Sequence, residues 1–257
     1  MFKAFRIGVL LLILVFVATS AWLTAARSTD WNNSLWVKVY PINGDGSDIS
    51  STYIEGLKMR DFEPVETFIA RETARYGRSL DRPVRMELGH LVTEQPPEMN
   101  PDANVFGIML WSLKMRWWAG SVAGKQDDIE PDVRIFVRYH AHAGTISLEN
   151  SVGLQKGMVG VVNGYAGRRF KSTNNVIIAH EFLHTLGATD KYDPANGQPT
   201  APEGLAEPDR KPLYPQRYAE IMGGRIAIAD NDAVIPKSLK YAVIGSLTAH
   251  EIRLLAD

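Results

Sequence analysis

The chain has 257 residues, 45% of them hydrophobic, and a formal net charge of −1, enough to bury one good core or two lobes around a cleft. Near-neutrality without a long basic run excludes an electrostatic nucleic-acid binder, whose positive footprint would stand out. With no cysteine in the chain, neither a disulfide framework nor a thiolate metal site can form.

At the N-terminus, Lys3 and Arg6 precede an uncharged run from Ile7 to Ala26. Residues 1–26 therefore read as a membrane anchor or a signal peptide. An uncleaved transmembrane helix, with Trp22 at the far interface, gives a single-pass membrane protein. Cleavage after Ser20 or Ala26 gives a secreted one. Both readings leave the basic residues cytoplasmic and put the rest outside the cytoplasm, in the periplasm or extracellular space. Residues 27–34 turn polar and read as a linker, which leaves 35–257 as the working domain.

Leu35 to Tyr40 alternates as a first strand ending at Pro41. The turn-rich stretch Asn43 to Asp48 reads as a plain loop, since its oxygen ligands miss the spacing of a calcium loop. Thr52 to Met59 reads as a short helix. Asp61 is a fair N-cap for a longer one with Pro64 in its first turn. Pro83 to Leu91 is a second strand, so the domain opens as a βαβ unit. Asn104 to Ala119 is apolar on most sides and reads as a helix buried on the sheet, or as one resting on a membrane surface. Val133 to Tyr139 is a clear strand. His140 and His142 follow it on one extended face; loop histidines without a third partner are more often structural than metal ligands. Gly153 to Gly164 is glycine-rich and reads equally as a strand that another backbone can approach closely or as an ordinary strand with bulges.

The next stretch organises the chain: His180-Glu181-Phe182-Leu183-His184-Thr185-Leu186-Gly187-Ala188-Thr189-Asp190. Residues four apart share a helix face, so His180 and His184 can aim at one metal ion. Glu181 can then reach a water beside that ion and take its proton. Asn174 or Asn175 is a good N-cap, Val176, Ile177, Leu183 and Leu186 supply a buried face, and Gly187 is a natural stop. Two histidines and a glutamate in so apolar a helix need a reason, and Zn2+ supplies one. Beyond the helix, the prolines from Pro194 to Pro215 preclude regular elements. Thr248 to Glu251 reads as a capping box that opens a last helix.

HEFLHTLGATD resembles the metzincin form of the zinc-peptidase signature, and HEFLHTLGATDKYD is similar to bacterial peptidases like immune inhibitor A. The resemblance implies an α+β, zincin-like fold: a twisted mixed sheet, an active-site helix, and a smaller C-terminal subdomain from about residue 188. It implies Zn2+ held by His180, His184 and Asp190, with Glu181 as catalytic base, and a methionine turn with Met222 beneath the metal. It also implies that an extended protein or peptide substrate docks along the strand before the metal helix, here within 153–164. Asp193, Glu203, Glu207 and Glu220 compete with Asp190 as third ligand, and Tyr192 and Tyr218 compete as oxyanion donors. The expected activity is that of a zinc metallopeptidase. Its rivals are a non-enzymatic cell-envelope binding protein on the same scaffold and a zinc hydrolase of non-peptide amides.

Overall fold

A computed structural model of the chain describes residues 6–8, 29–100, 102–124, 129–142, 152–154 and 158–255. Its centre is a mixed five-stranded sheet in the order β2-β1-β3-β5-β4. The strands are β1 (Leu35–Asn43), β2 (Val84–Leu88), β3 (Val133–Ala141), β4 (Val152–Leu154) and β5 (Val159–Ala166). β1, β2, β3 and β5 run parallel, and β4 pairs antiparallel to β5 at one end of the sheet.

Strand alternation decides which face each side chain serves. Val37, Val39, Ile135, Val137 and Val162 point into one core, while Tyr40, Ile42, Phe136, Val159 and Val161 point into another. The first core is closed by α1 (Asp48–Glu55), α2 (Glu63–Arg75) and α4 (Lys171–Leu186). The second is closed by α3 (Val105–Ala123) through Met115, Trp118, Ala119, Val122 and Ala123. Each fully buried Leu, Ile or Phe contributes about 1.5–3 kcal/mol, so Ile178, Phe182 and Leu183 hold α4 firmly to the sheet.

α3 differs from a helix buried throughout. Its N-terminal half exposes Val105, Phe106, Ile108, Met109, Leu110 and Leu113, and Trp117 is also exposed. Only one side of the helix meets the sheet, because the buried positions recur every three or four residues over its last three turns.

β1 runs past Pro41, where the sequence predicts a stop. Pro41 lies on the β2 side of β1 after β2 has ended, so its missing N–H leaves no ladder bond unmade. Its carbonyl still accepts from Val92 N–H at 2.9 Å. β1 and β2 are parallel neighbours joined through α2, the expected βαβ arrangement.

The expectation of a transmembrane helix or signal anchor, and with it of a single-pass membrane protein, is corrected here. Among the described residues no helix is long and apolar enough to cross a membrane. The longest described helix, α3, carries Lys114 and Arg116 and spends its apolar residues partly on the sheet. Residues 9–28, which hold most of the uncharged run, lie outside the described residues.

After Gly187 the chain leaves the main sheet. It forms two small two-stranded sheets, β6 (Ala219–Glu220) with β9 (Ala242–Val243) and β7 (Ile226–Ala229) with β8 (Asp232–Val234), and then α5 (Ser246–Glu251). The predicted capping box of this last helix does not form. Thr248 donates to Glu220 Oε1 at 2.7 Å, and Glu251 accepts from Lys191 Nζ at 2.7 Å. Both side chains fasten α5 to the region around the predicted site instead of capping the helix.

Candidate metal centre

α4 begins earlier than the sequence predicts. A 3-10 turn, Arg168–Phe170, leads into it, and Asn174 and Asn175 lie inside the helix rather than at its cap. Their amides serve as fasteners. Asn174 accepts from Tyr165 N–H at 3.2 Å and donates to Tyr165 O at 3.0 Å, while Asn175 donates to Asp61 O at 2.8 Å. Lys171 pairs with Asp61 at 2.6 Å. The first half of α4 is thereby tied to β5 and to the start of α2. The helix ends at Gly187, whose φ of 108° lies in the left-handed region that favours glycine. Ala188 N–H returns to Leu183 O at 3.1 Å, and the chain turns back along the helix end.

That return brings Asp190 to the two histidines. His180 Nε2 and His184 Nε2 are 3.1 Å apart, and Asp190 Oδ1 is 3.1 Å from each. Ligands held tetrahedrally at about 2.0–2.1 Å from one ion stand about 3.3 Å apart, close to this triangle. The two rings meet nearly edge to face, at 83°.

Hydrogen bonding settles where each ring keeps its proton. His180 Nδ1 lies 2.9 Å from Ile221 O, and His184 Nδ1 lies 2.8 Å from Ala188 O. A carbonyl only accepts, so each neutral ring carries its hydrogen on Nδ1 and turns a bare Nε2 lone pair inward. Two lone pairs and a carboxylate oxygen converging at 3.1 Å repel one another unless a cation or shared protons lie between them.

Burial works against a charge on His180, but the Asp190 and Glu181 carboxylates carry its pKa above the ordinary value. Burial would likewise raise Asp190, yet the two histidines hold it well below the usual carboxylate range. Glu181 is shifted up by burial, which the histidines only partly offset.

Glu181 is 4% exposed, and its Oε2 has no hydrogen-bond partner. An unpartnered buried carboxylate oxygen costs several kcal/mol unless something fills the gap, on the order of the penalty for burying a charge unpaired. His180, Glu181 and His184 bring potential ligand atoms within 4.8 Å of one another, and this group could bind a metal ion. Asp190 Oδ1 lies closer to both imidazoles than that limit requires. The donor set and the orphaned oxygen both fit a hydrated divalent ion.

The segment around Met222 lies behind His180. Met222 is fully buried, its N–H donates to Glu220 Oε2 at 2.6 Å, and its carbonyl accepts from Lys191 N–H at 2.9 Å. Asp190 is thus held from both sides, since Thr189 N–H also donates to Glu251 Oε2 at 3.1 Å. Glu220 is not turned toward the histidines. Its two oxygens accept from Met222 N, Gly223 N at 2.8 Å, Gly245 N at 2.9 Å and Thr248 Oγ1. Asp193 accepts from Ala195 N at 2.9 Å within its own turn, Glu207 is occupied by Arg217, and Glu203 is exposed. Neither His140 nor His142 belongs to a metal-binding group among the described residues. His142 stacks on Phe170 with ring centroids 4.9 Å apart.

Sequence reasoning missed how closely β4 approaches α4. A Cβ on Gly153 would fall 2.4 Å from His184 Cβ and 2.8 Å from Glu181 O. Only a residue without a side chain lets this strand lie against the helix there. The glycine-rich run was visible in the sequence, but nothing local showed that this glycine faces the histidines. Glu220 carried no signal of its role beyond lying two residues before Met222.

A cavity of about 610 Å³ opens beside the histidines, lined by His180, Glu181, Tyr192, Asn174, Ile177 and Arg225 among others. The Tyr192 ring lies 6.3 Å from that of His180. Burial, with the Asp190 and Glu181 carboxylates, pushes its hydroxyl pKa up. Tyr218 is exposed, against Arg217, and does not line this cavity.

No protein-family profile matches the chain, and no curated protein matches it. Among solved structures it is similar to one described as a chaperone–substrate complex, at 15% identity and a TM-score of 0.42, over 86% of this chain and 34% of that one. It is also similar to catalytically inactive OgpA from Akkermansia muciniphila in complex with an O-glycopeptide (glycodrosocin) substrate, at 10% identity and a TM-score of 0.36, over 86% of this chain and 62% of that one. The chain therefore spans about a third of the first structure's length and under two thirds of the second's.

Proposed function

We propose that this chain is a zinc-dependent peptidase of the zincin, metzincin-like type, with His180, His184 and Asp190 as ligands and Glu181 as general base. The observation that carries the reading is the convergence of three donor atoms at 3.1 Å with both Nδ1 protons already committed to carbonyls. A zinc ion held there supplies a Lewis acid that polarises a carbonyl and lowers the pKa of water.

The remaining work belongs to the protein's own groups. Glu181 Oε2, buried and unpartnered, accepts a proton from the attacking water and delivers it to the leaving amine nitrogen. Tyr192, on the cavity wall beside His180, is the better placed of the two tyrosines to donate to the oxygen where negative charge develops. Ile221 O and Ala188 O keep the rings oriented through the cycle. Met222 supports the floor behind His180 and takes no part in the chemistry. β4 ends the described sheet and passes His184 at its own Gly153, which favours an extended peptide adding to the strand's outer edge. A purely structural metal would ordinarily be closed by a fourth protein ligand; the orphaned Glu181 oxygen favours a water in that position instead.

The test is zinc content and peptide hydrolysis on one preparation of wild type, Glu181→Gln and Tyr192→Phe. Both variants should keep about one zinc per chain. Glu181→Gln should lose about 10²–10⁴ in turnover, the usual worth of a general base. Tyr192→Phe should lower kcat more than it raises KM. Wild-type rates in Glu181→Gln would overturn the mechanism.

A further inference from the structure

Arg225 sits in the turn after Gly224, half-buried, on the wall of the cavity that holds His180 and Glu181. It is the one arginine or lysine among the lining residues. Several arginines elsewhere in this domain are committed: Arg75 to Glu72 and Ile244 O, Arg78 to Leu254 O, Arg82 to Glu66, Arg217 to Glu207. Among the described residues the Arg225 guanidinium makes no hydrogen bond and no ion pair. It lies flat along Gly197, its Nη2 3.2 Å from where a Cβ on that residue would stand.

A planar guanidinium offers a rigid fork of donors that matches a carboxylate with two parallel bonds. Held half out of water with no internal acceptor, it is a preformed receptor. The cavity wall also carries Asn163, Asn174 and Asn196, which are neutral, and one carboxylate, Glu181, which forms no ion pair with Arg225 among the described residues. Resting on the proposed peptidase reading, we infer that Arg225 is a specificity residue that binds a carboxylate of the substrate. That carboxylate is either an acidic side chain near the scissile bond or the peptide's C-terminal group.

The experiment uses the full chain with zinc and a set of otherwise neutral octapeptides. Each carries one Glu, or Gln in its place, at a different position, and each is made as free acid and as C-terminal amide. Wild type should favour a carboxylate at one position by about 10–100-fold in kcat/KM, the scale of a charge-assisted bidentate pair. Arg225→Gln should erase that preference and leave the neutral amides within about 2-fold of wild type. Arg225→Glu should turn the preference toward Gln over Glu and toward amide over free acid. A preference for Glu over Gln at one position, in acids and amides alike, identifies a side-chain carboxylate, and a preference for free acid over amide whatever the position of Glu identifies the C-terminus. Absence of any preference in wild type, or equal losses for acidic and neutral peptides in Arg225→Gln, would overturn the inference. If wild type cleaves nothing, fluorescence polarisation of the same labelled peptides separates the two ideas. Arg225-dependent binding of carboxylate peptides upholds the subsite while the peptidase reading falls, and no such binding removes both.

Discussion

Replacing Glu220 with Gln tests how the site is held. The two oxygens of Glu220 accept four donors: Met222 N and Gly223 N on Oε2, Gly245 N and Thr248 Oγ1 on Oε1. Glutamine keeps the shape but puts an NH2 where one oxygen was, so two of the four buried donors lose their acceptor and face another donor. At about 1–3 kcal/mol for each buried donor left unsatisfied, the loss is about 2–6 kcal/mol. The same turn supplies Ile221 O to His180 Nδ1, so zinc affinity should fall about 10–100-fold, as when a group that orients a ligand is disturbed. Urea unfolding and a chelator competition on Glu220→Gln and wild type measure both numbers. A variant within about 1 kcal/mol of wild type with unchanged zinc affinity would refute the account. Lost zinc with intact stability would instead make Glu220 a ligand.

Asp190→Ala should lower zinc affinity far more than Asp193→Ala, because Asp190 Oδ1 stands 3.1 Å from both imidazoles while Asp193 serves its own turn; equal affinities in a common buffer would move the third ligand elsewhere. Gly153→Ala forces a Cβ to 2.4 Å from His184 Cβ, so it should cost about 1–3 kcal/mol and weaken zinc binding, whereas Gly120→Ala, with nothing within 4 Å, should cost nothing. Equal melting temperatures for these two variants would contradict the close approach of β4. Burial would raise the pKa of Asp45, but Ala141 N–H and the Ser47 N–H and hydroxyl hold it at about 2. Its stabilisation is therefore complete above the ordinary carboxylate pKa of about 4 and fades as pH falls towards 2. Asp45→Asn should unfold at lower urea than wild type at pH 7 and match it near pH 2; a gap that does not narrow would refute this.

The legible parts of this molecule were those whose cause is local. Apolar alternation marked β1 and β3, and the four-residue spacing of His180 and His184 with Gly187 marked the end of α4. What escaped depended on partners distant in the chain. Asn174 and Asn175 look like caps, yet they bond Tyr165 and Asp61. Thr248 and Glu251 look like a capping box, yet Glu220 and Lys191 claim them. Pro41 looks like a strand end because composition does not reveal that β2 has already stopped beside it. The apolar run of α3 looks buried all round, since sequence periodicity cannot say how much of a helix its neighbours cover. The Arg225 subsite had no sequence signal, because the missing partner of an arginine is visible only in three dimensions.

The donor triangle has a consequence for folding, because all its atoms come from residues 180–190 of the chain. Closing so short a loop costs little chain entropy, so an unfolded or partly folded chain already resembles a weak chelating peptide. A metal bound there would therefore stabilise the native state only by the ratio of its affinities for folded and unfolded chains, less than the full binding free energy. Coordination itself staples no distant segments together. The long-range links run instead through two carbonyls, Ile221 O to His180 and Met222 O to Lys191, and through Glu251, which accepts from Thr189 and Lys191. If an ion is bound there, removing it should loosen that seam first, with the sheet and its two cores surviving as a cooperative unit.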